Sequence, residues 1–278
     1  MKRIDTLFRL VVALALTCVT ALAYAQAQPA KPAAYEPQVG QEGKDVVWVP
    51  TPQELVDRML DMAKATPKDF VMDLGSGDGR TVITAAKRGI KALGIEYNPE
   101  MVELSKRNAE KEGVSARAEF KKADLFETDF SQATVITMFL LPDINLRLRP
   151  KILDMKPGTR VVSNTFTMGE WEADETSTVP EASGYYRTAL LWIVPAKVEG
   201  TWKSAQGELS IKQLFQKIVG TAKRGEVAAA IMNGKLRGDQ INFTAGGAEY
   251  SGRVNGNTIE GTIKASGKTT EWRATRSG

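Results

Sequence analysis

The sequence VMDLGSGDGR, residues 71–80, decides the fold that we predict for this chain. An apolar run ends at Asp73, glycine follows at positions 75, 77 and 79, and residues 81–88 have the composition of a helix. This order predicts a buried strand, a glycine turn and a helix. Glycine lets the backbone approach a ligand closely, and the free N–H groups at the start of the helix face that ligand.

The glycine turn departs from two common phosphate-binding patterns. The dinucleotide pattern G-x-G-x-x-G, counted from Gly75, requires a glycine where this chain has Arg80. The lysine of an ATP-binding phosphate loop is also missing here. A glycine turn alone is weak evidence for a function, and these departures disfavour both NAD and ATP as ligands.

The segments around the turn continue the alternation of strands and helices. Residues 51–54 (TPQE) match a capping box with proline at the first helical position, and predict a helix of about three turns. Asn98 and Pro99 begin another helix, which Gly113 ends. Further strands are predicted at residues 92–95, 118–122, 134–141, 159–162 and 186–195. This recurrence predicts a parallel sheet that binds ligands at the carboxyl ends of its strands.

Carboxylates follow the second and third predicted strands. Glu96 stands at the tip of the second strand, and Asp124 follows the third, where Phe126 adds an aromatic ring. A carboxylate in the place of Glu96 suits a ribose diol, because it accepts hydrogen bonds from both hydroxyls. Each residue also has an ordinary interpretation: Asp73 could cap a helix, Glu96 and Asp124 could be solvated charges, and Phe126 could belong to the core.

Three stretches resemble the first three motifs of class I S-adenosylmethionine-dependent methyltransferases: residues 71–80, residues 94–100 (GIEYNPE) and residues 123–126 (ADLF). The resemblance extends from about residue 46 to residue 194. Residues 48–50 (WVP), taken with the glycine turn, look most similar to the mitochondrial protein-lysine methyltransferases of carrier and ATP synthase subunits. The resemblance implies an α/β fold with a doubly wound, Rossmann-like methyltransferase sheet, and S-adenosyl-L-methionine as cofactor.

The resemblance also implies roles for individual residues. Asp73, Gly75 and Gly77 would lie along the methionine part of the cofactor, Glu96 would bind the ribose hydroxyls, and Asp124 would bind the adenine amino group. The complete set of candidate cofactor-binding residues is Asp73, Gly75, Gly77, Asp78, Glu96, Tyr97, Asp124, Leu125, Phe126 and Phe139. No metal-binding residues are predicted.

Residues 137–142 (TMFLLP) follow the fourth predicted strand and bear on the chemistry. They depart from the Asn/Asp-Pro-Pro-Tyr signature of amino-base methyltransferases, which argues against nucleic-acid bases as acceptors. The expected mouth is mostly apolar, and burial there would lower the pKa of an acceptor amine. Tyr97 and Asn145 are the candidate catalytic residues, with Asp143 as a further polar neighbour. The alternative is that Asn145 and Asp143 only cap the next helix.

The composition excludes several classes of site. The chain has no histidine, and Cys18 is its one cysteine. Zinc sites with histidine ligands, imidazole bases and intrachain disulfides are therefore excluded. The formal net charge is +4, and the first ten residues supply half of it. The remaining charge is too small to indicate nucleic-acid binding.

The first 25 residues have the pattern of a secretory signal peptide. Basic residues precede an apolar run at residues 10–23, and residues 23–25 (AYA) form a small-x-small cleavage site. The run is shorter than the ~20 apolar residues that a spanning helix needs. We expect cleavage before Gln26 and an exported, periplasmic chain, with cytoplasmic retention as the alternative. Residues 26–45 then predict an extended linker.

The C-terminal part changes to short β-rich runs separated by glycine, asparagine and aspartate. Residues 234–241 (GKLRGDQI) and 252–259 (GRVNGNTI) repeat at a period of eighteen residues. Their Gly-Asp and Gly-Asn pairs favour two-residue hairpin turns. We therefore predict a small antiparallel β domain, a meander or a barrel, that serves as a structural appendage or as a docking module.

Four segments follow from these patterns: a signal peptide (1–25), a linker (26–45), a methyltransferase domain (46–197) and a β domain (198–278). Within the third segment, residues 171–174 (WEAD) could line the substrate side of the site. Alternatively, Trp171 packs in the core.

The predicted function is the transfer of a methyl group from S-adenosyl-L-methionine to a protein lysine side chain. The alternatives are a small-molecule methyltransferase, a non-catalytic nucleoside-binding module and a bare scaffold without cofactor. We expect a protein or small-molecule partner, no nucleic acid and no membrane contact beyond the export signal; no pattern indicates an oligomeric state. Export opposes this function, because the cofactor is made in the cytoplasm.

Overall fold

Strands and helices alternate along the first half of the chain, as the sequence predicts. The computed structural model describes residues 35–182 and 184–277, so the predicted signal peptide and residues 26–34 of the predicted linker lie outside the described residues. The α/β part consists, in chain order, of α1 (Gln53–Met62), β1 (Phe70–Leu74), α2 (Arg80–Lys87), β2 (Lys91–Glu96), α3 (Pro99–Lys111), β3 (Ala118–Lys122), β4 (Val135–Met138), α4 (Pro142–Leu153), β5 (Arg160–Asn164), β6 (Glu175–Thr178) and β7 (Thr188–Ile193).

These strands form a seven-stranded sheet with the order β3-β2-β1-β4-β5-β7-β6. Strands β1 to β5 are parallel to one another, whereas β7 is antiparallel to both β5 and β6. Helices α1, α2 and α3 pack their apolar residues on one face of the sheet, and α4 packs on the other. The prediction of a doubly wound sheet is thereby confirmed.

Strand β6 has no counterpart among the predicted strands. Its sequence, ETST, has no apolar residue, and its side chains are at most half-buried because the strand lies at the sheet edge. Hydrophobic alternation, the signal used to predict strands, arises only where one face of a strand is buried.

Two predicted helix caps have different outcomes. Asn98 caps α3 as expected, since its side chain accepts a hydrogen bond from the backbone N–H of Glu100 at 2.8 Å. The capping box at residues 51–54 is wrong: α1 begins after Pro52, and no side chain caps it. Thr51 is buried, and its Oγ1 accepts a hydrogen bond from Asn164 Nδ2 at 3.3 Å. The hydroxyl therefore binds a distant segment instead of capping α1.

Residues 38–50, which we call the strap, are folded, although the sequence analysis assigned residues 26–45 to an extended linker. The backbone N–H of Gly40 donates to the carbonyl of Trp48, and the N–H of Trp48 donates to the carbonyl of Gln41, both at 2.9 Å. Glu42 and Val47 form an isolated antiparallel bridge between these contacts. The strap is therefore a folded hairpin rather than an extended linker.

The C-terminal segment is a closed eight-stranded antiparallel barrel. Its strands are β8 (Gly200–Ser204), β9 (Gly207–Leu214), β10 (Lys217–Arg224), β11 (Val227–Arg237), β12 (Gln240–Ala245), β13 (Ala248–Asn255), β14 (Thr258–Ala265) and β15 (Lys268–Arg276). Both repeat copies make the predicted two-residue turns, at residues 238–239 and 256–257. Gly238 and Gly256 have φ values of +62° and +57°, which explains why glycine comes first in each turn.

The turn between β9 and β10 joins the barrel to the α/β part. The ring of Phe215 stacks on Trp171, with 5.9 Å between ring centroids. Gln216 is buried, and its Nε2 donates to the carbonyl of Glu172 at 2.8 Å. Trp171 is fully buried, so residues 171–174 do not line the substrate side and the packing alternative is correct. No helix in the described part of the chain has the length and apolar character that crossing a bilayer requires.

Candidate functional site

A cavity lies where the parallel strands end, between the sheet and the strap. Residues 41–51 of the chain form one side of it. The other side is the row of segments that follow β1 to β5, together with Tyr186 just before β7. The predicted site therefore lies at the carboxyl edge of the sheet, where α/β folds bind ligands.

The strand order fixes the sequence of groups along this edge. Leu74 of β1 pairs with Ile95 of β2 on one side and with Met138 of β4 on the other. The segments after β3, β2 and β1 carry Asp124, Glu96 and the glycine turn, and the segments after β4 and β5 carry aromatic rings. One half of the cavity is thus acidic and the other half is aromatic.

The glycine turn between β1 and α2 is a tight cradle. Gly75, Gly77 and Gly79 have φ values of +79°, +54° and +84°, a region that favours glycine. A Cβ on Gly77 would lie 2.7 Å from Trp48 Nε1. The strap indole therefore rests directly on the turn, and no larger residue fits there.

The carboxylate of Glu96 is held by the backbone. Its Oε2 accepts a hydrogen bond from the N–H of Gly77 at 3.0 Å, and its Oε1 accepts one from the N–H of Asn98 at 2.9 Å. Each carboxylate oxygen can accept a second hydrogen bond. The group is therefore fixed in position and still able to accept from both hydroxyls of a ribose.

Asp73 is a buried carboxyl at the end of β1. Thr137 of β4 donates from Oγ1 to Asp73 Oδ1 at 2.7 Å, and the side chain is shielded from water. Burial, together with the nearby carboxylates of Asp78 and Glu96, raises the pKa of Asp73 to about 7, against the lowering effect of its hydrogen bonds with Thr137 and Thr81. A cation that enters the cavity would favour the charged form of this group.

Asp78 lines the cavity, but its carboxylate already has a partner. Arg80 donates from Nε to Oδ1 at 3.0 Å and from Nη2 to Oδ2 at 2.6 Å. Arg80 Nη1 also donates to the carbonyl of Thr51 at 2.8 Å. The residue that breaks the dinucleotide pattern thus links the glycine turn to the segment that follows the strap, a role that pattern matching did not reveal.

At the far end of the acidic half, Asp124 forms an ion pair with Lys44 of the strap. The hydrogen bond from Lys44 lowers the pKa of the Asp124 carboxyl and raises that of the lysine. Lys44 also lies over the ring of Tyr97, 4.7 Å from its centroid. The sequence analysis missed Lys44 because it assigned this residue to a linker, whereas the strap fold brings it to the cavity.

Phe126 and Asn145 are two candidates that the structure does not bring to the cavity. The ring of Phe126 packs against the core, and Arg147 lies 3.6 Å from its centroid. Asn145 is fully buried and donates from Nδ2 to the carbonyls of Phe166 and Thr167 at 3.3 and 3.1 Å. It neither caps α4 nor faces a substrate, so its assignment as a catalytic residue is wrong.

The other candidates do line the cavity. These are Asp73, Gly75, Gly77, Asp78, Glu96, Tyr97, Asp124, Leu125 and Phe139. Three aromatic lining residues, Trp48, Phe166 and Tyr186, were not predicted as site residues. Trp48 belongs to the WVP stretch, which the sequence analysis used only for the family resemblance. Phe166 and Tyr186 belong to no motif, and the fold of the loops after β5 and before β7 brings them here.

The lining residues suit S-adenosylmethionine in charge and in shape. The cofactor carries a sulfonium, an ammonium and one carboxylate, so its net charge is positive. Asp73, Asp78, Glu96 and Asp124 outnumber the two basic lining side chains, Lys44 and Arg80, in the acidic half. The glycine turn, which carries no Cβ at positions 75, 77 and 79, lets a ligand approach the backbone closely. Among residues 35–182 and 184–277, no group of three acidic, histidine or cysteine side chains is placed to bind a metal ion.

Known proteins of similar sequence are methyltransferases. Residues 73–175 match the family described as the ANTKMT methyltransferase domain. A protein-lysine N-methyltransferase of Saccharolobus islandicus (strain REY15A) is 46% identical over 152 residues, which are 54% of this chain and 94% of that protein. The chain belongs to the protein-lysine N-methyltransferase family.

Two further relatives bear on its cofactor and its extent. The adenine nucleotide translocase lysine N-methyltransferase of Mus musculus is 33% identical over 129 residues, which are 46% of this chain and only 56% of that protein. A crystal structure described as an RNA methyltransferase from Salinibacter ruber, in complex with S-adenosyl-L-homocysteine, is 43% identical with a TM-score of 0.51. It covers 54% of this chain and 96% of its own. The methyltransferase fold and the S-adenosylmethionine cofactor predicted from the sequence are confirmed.

Replacing Glu96 tests the ribose site of this methyltransferase. We expect Glu96→Ala to weaken the binding of S-adenosylhomocysteine by about 1.5–3 kcal/mol, roughly 10- to 150-fold, because two hydrogen bonds to a charged acceptor are lost. Calorimetric titration measures this change. Glu103→Ala, on the exposed face of α3, is the matched control and should leave the affinity unchanged. Equal affinities for both variants would contradict the assignment.

The raised pKa of Asp73 predicts a pH-dependent stability. Between about pH 4 and pH 7, Asp73 binds more protons in the folded protein than in the unfolded chain, so its contribution to the free energy of unfolding falls as pH rises through this window. Asp73→Asn removes the ionisable group and with it this loss of stability at high pH. The variant should therefore have a higher Tm than the native protein at pH 8 without ligand, and a similar Tm at pH 4.

Asp69→Asn supplies the control with the opposite sign. The pKa of the half-buried Asp69 is lowered by its hydrogen bond from Arg160 despite the effect of burial, so this variant should lose stability at pH 8. The Tm of both variants and of the native protein, measured by thermal unfolding at pH 4 and pH 8, tests this prediction. An Asp73→Asn variant that is less stable than the native protein at pH 8 would contradict the raised pKa of Asp73.

Proposed function

We propose that this chain transfers methyl groups from S-adenosylmethionine to lysine side chains of a protein. The observation that carries the proposal is the apolar segment after β4, Phe139 to Pro142, beside an acidic cofactor half. Methyltransferases that act on amino groups of bases place polar residues at this position. The names of the relatives from Saccharolobus islandicus and Mus musculus support a lysine acceptor.

The apolar segment suits the chemistry that a lysine requires. When bound, the cofactor supplies an electrophilic methyl group on a sulfonium. The acceptor must arrive as a neutral amine, and its pKa in water is far above neutrality. Leu140 is buried and Phe139 half-buried, so they exclude water from the acceptor and lower the pKa of its ammonium.

Three acceptors distinguish this function from its rivals. The chain is incubated with S-adenosylmethionine carrying a labelled methyl group and with a lysine-rich peptide, the same peptide with acetylated lysines, or RNA. We expect label in the first acceptor only. Label in RNA would replace the proposal by the activity named for the Salinibacter ruber relative.

The Glu96→Ala variant serves as the matched control in this assay. It should lose the transfer to the lysine peptide at cofactor concentrations near the Kd of the native protein, because the site binds the ribose through this carboxylate. Tight binding of S-adenosylhomocysteine without transfer to any acceptor would leave the nucleoside-binding module as the function.

We propose in addition that residues 1–25 direct export to the periplasm. Lys2, Arg3 and Arg9 precede the apolar run and residues 23–25 provide the cleavage site, which supports this proposal. In a bacterial host, the chain should be recovered from the periplasm with Gln26 as its first residue, as measured by fractionation and intact mass. A chain without residues 2–25 is the control and should stay in the cytoplasm. Recovery of the uncut chain from the cytoplasm would contradict export.

A further inference from the structure

The outer surface of the barrel differs between its two sides. On strands β13 to β15, outward basic residues pair with acids of the neighbouring strand, as Arg273 does with Glu260 at 3.3 Å. Strands β9 to β11 contain six basic residues and one acid, Glu208. They also carry the large apolar residues of the described barrel that are exposed: Leu214, Val219, Val227 and Met232. Basic and apolar side chains therefore share one side of the barrel.

The strand register brings these side chains together. Strand β10 lies between β9 and β11. Ile218 of β10 is buried in the barrel core, so the next residue, Val219, points outwards and is 59% exposed. Val219 pairs with Lys212 of β9. On its other side, a register shift in the pairing with β11 places Met232 opposite Val219.

The exposed face of these three strands thus alternates basic and apolar residues. We call it the basic–apolar patch and define it by three basic residues and three apolar ones: Lys212, Lys223, Arg224, Leu214, Val219 and Met232. Val227, which pairs with Arg224, continues the patch at the hairpin between β10 and β11.

The basic residues of the patch have no ion pair within the described chain. Lys217, next to the turn that contacts the α/β part, forms an ion pair with Glu172 at 2.8 Å. Among residues 35–182 and 184–277, no acidic side chain forms an ion pair with Lys212, Lys223 or Arg224. All three side chains are exposed. The patch therefore presents positive charge to an external anion.

We propose that the basic–apolar patch binds the surface of an anionic membrane. Its basic residues bind the lipid phosphates, and its apolar residues enter the boundary between headgroups and acyl chains. Glu208, opposite Lys223 in the register, offsets part of the charge and leaves the patch positive. Of the two roles expected for the barrel, the patch supports the docking module.

The proposal does not depend on the identity of the methyl acceptor. The patch lies outside residues 73–175, which match the methyltransferase family. The sequence analysis expected no membrane contact beyond the export signal, because the patch residues alternate with buried ones along three strands. Only the register of β9 to β11 collects them on one face.

The composition and size of the patch favour a lipid surface over a macromolecule. Strands β9 to β11 contain no aromatic residue, so no ring is available on which a nucleic-acid base could stack. Three adjacent strands of this length cover about 26 by 14 Å, or roughly 360 Å². A stable protein–protein interface buries about 800 Å² of each partner. A bilayer offers anions and apolar chains at every point, so it requires no shaped groove.

The two kinds of side chain predict different responses to conditions. Attraction between exposed basic residues and lipid phosphates is screened by salt. Removal of apolar side chains from water depends little on charge. Binding through the patch should therefore require anionic lipid, weaken as salt rises, and weaken again when apolar residues are replaced at constant charge.

Vesicle flotation with the chain from Gln26 to Gly278 tests the proposal. This chain contains every residue that the structure describes, and it lacks the apolar leader, which would itself bind lipid. Vesicles of phosphatidylcholine with about 30% phosphatidylglycerol should bind the chain at least about tenfold more tightly than phosphatidylcholine alone. Salt at about 0.5 M should release it.

A matched pair of double variants tests the basic residues. Lys212→Gln with Lys223→Gln should lower the partition coefficient about 10- to 30-fold, the effect of two basic residues near an anionic surface. Arg253→Gln with Lys264→Gln removes the same charge from the ion-paired side, and should change the coefficient by less than about threefold. Equal losses in the two double variants would show binding by net charge alone and would overturn the inference.

A second comparison tests the apolar residues. Val219→Ser with Met232→Ser should lower the partition coefficient about 3- to 10-fold at unchanged charge. Val39→Ser, at a valine of the strap that is 69% exposed, is the control and should have no effect. The replaced side chains are exposed, so every variant should keep the native Tm. Absence of binding to the anionic vesicles would overturn the inference. Binding to polyglutamate without binding to these vesicles would also overturn it, and would replace the lipid by an acidic protein segment.

Discussion

A carboxyl group buried at the end of β1 is the constraint around which the rest of the site is arranged. Asp73 lies on β1, where the strand order reverses: β2 lies on one side of β1 and β4 on the other. Burying an acid without a cation is unfavourable, and its pKa rises accordingly. The Thr137 hydroxyl satisfies one oxygen, and the cavity supplies the place where a cationic ligand satisfies the remaining charge. A buried carboxyl with a strongly raised pKa in a cleft is a common feature of functional sites.

The change of strand order also separates the two tasks of the enzyme. The segments after β1, β2 and β3 carry acidic groups, where the sequence analysis expects the cofactor, while the segments after β4 and β5 carry aromatic rings, where we propose that the acceptor binds. The strap closes the nucleoside half through the Lys44–Asp124 ion pair and through Trp48 against the glycine turn. The reversal of strand order between β2 and β4 therefore separates the expected cofactor site from the proposed acceptor site.

The parts of the fold that the sequence predicted are those with strong local signals. The glycine turn, the Asn98 cap and the two hairpin repeats each depend on a few adjacent residues, and each forms where it was expected. Strand β6 and the strap lack such signals, because an edge strand and a hairpin over a cavity are stabilised by distant partners. The same reason explains the errors at Thr51 and Asn145, whose hydrogen-bonding groups were expected to act locally and instead bind segments far away in sequence. Tyr186 could not be found by motif, because only the tertiary fold brings it beside Phe139.

The barrel contributes to the site without touching the cavity. In the segment between β5 and β6, Phe166 lines the cavity, and Trp171 and Glu172 contact Phe215 and Gln216 of the barrel turn. Between these ends, Arg149 of α4 donates to the carbonyl of Met168 at 2.8 Å. The segment is therefore fixed at its start by Asn145 and Ser163, which donate to the carbonyl of Phe166, in its middle by Arg149 and at its end by the barrel. The end at Trp171 is held from both parts of the chain, because Trp192 Nε1 of β7 donates to the carbonyl of Trp171 at 2.7 Å and the barrel residue Phe215 stacks on the Trp171 ring.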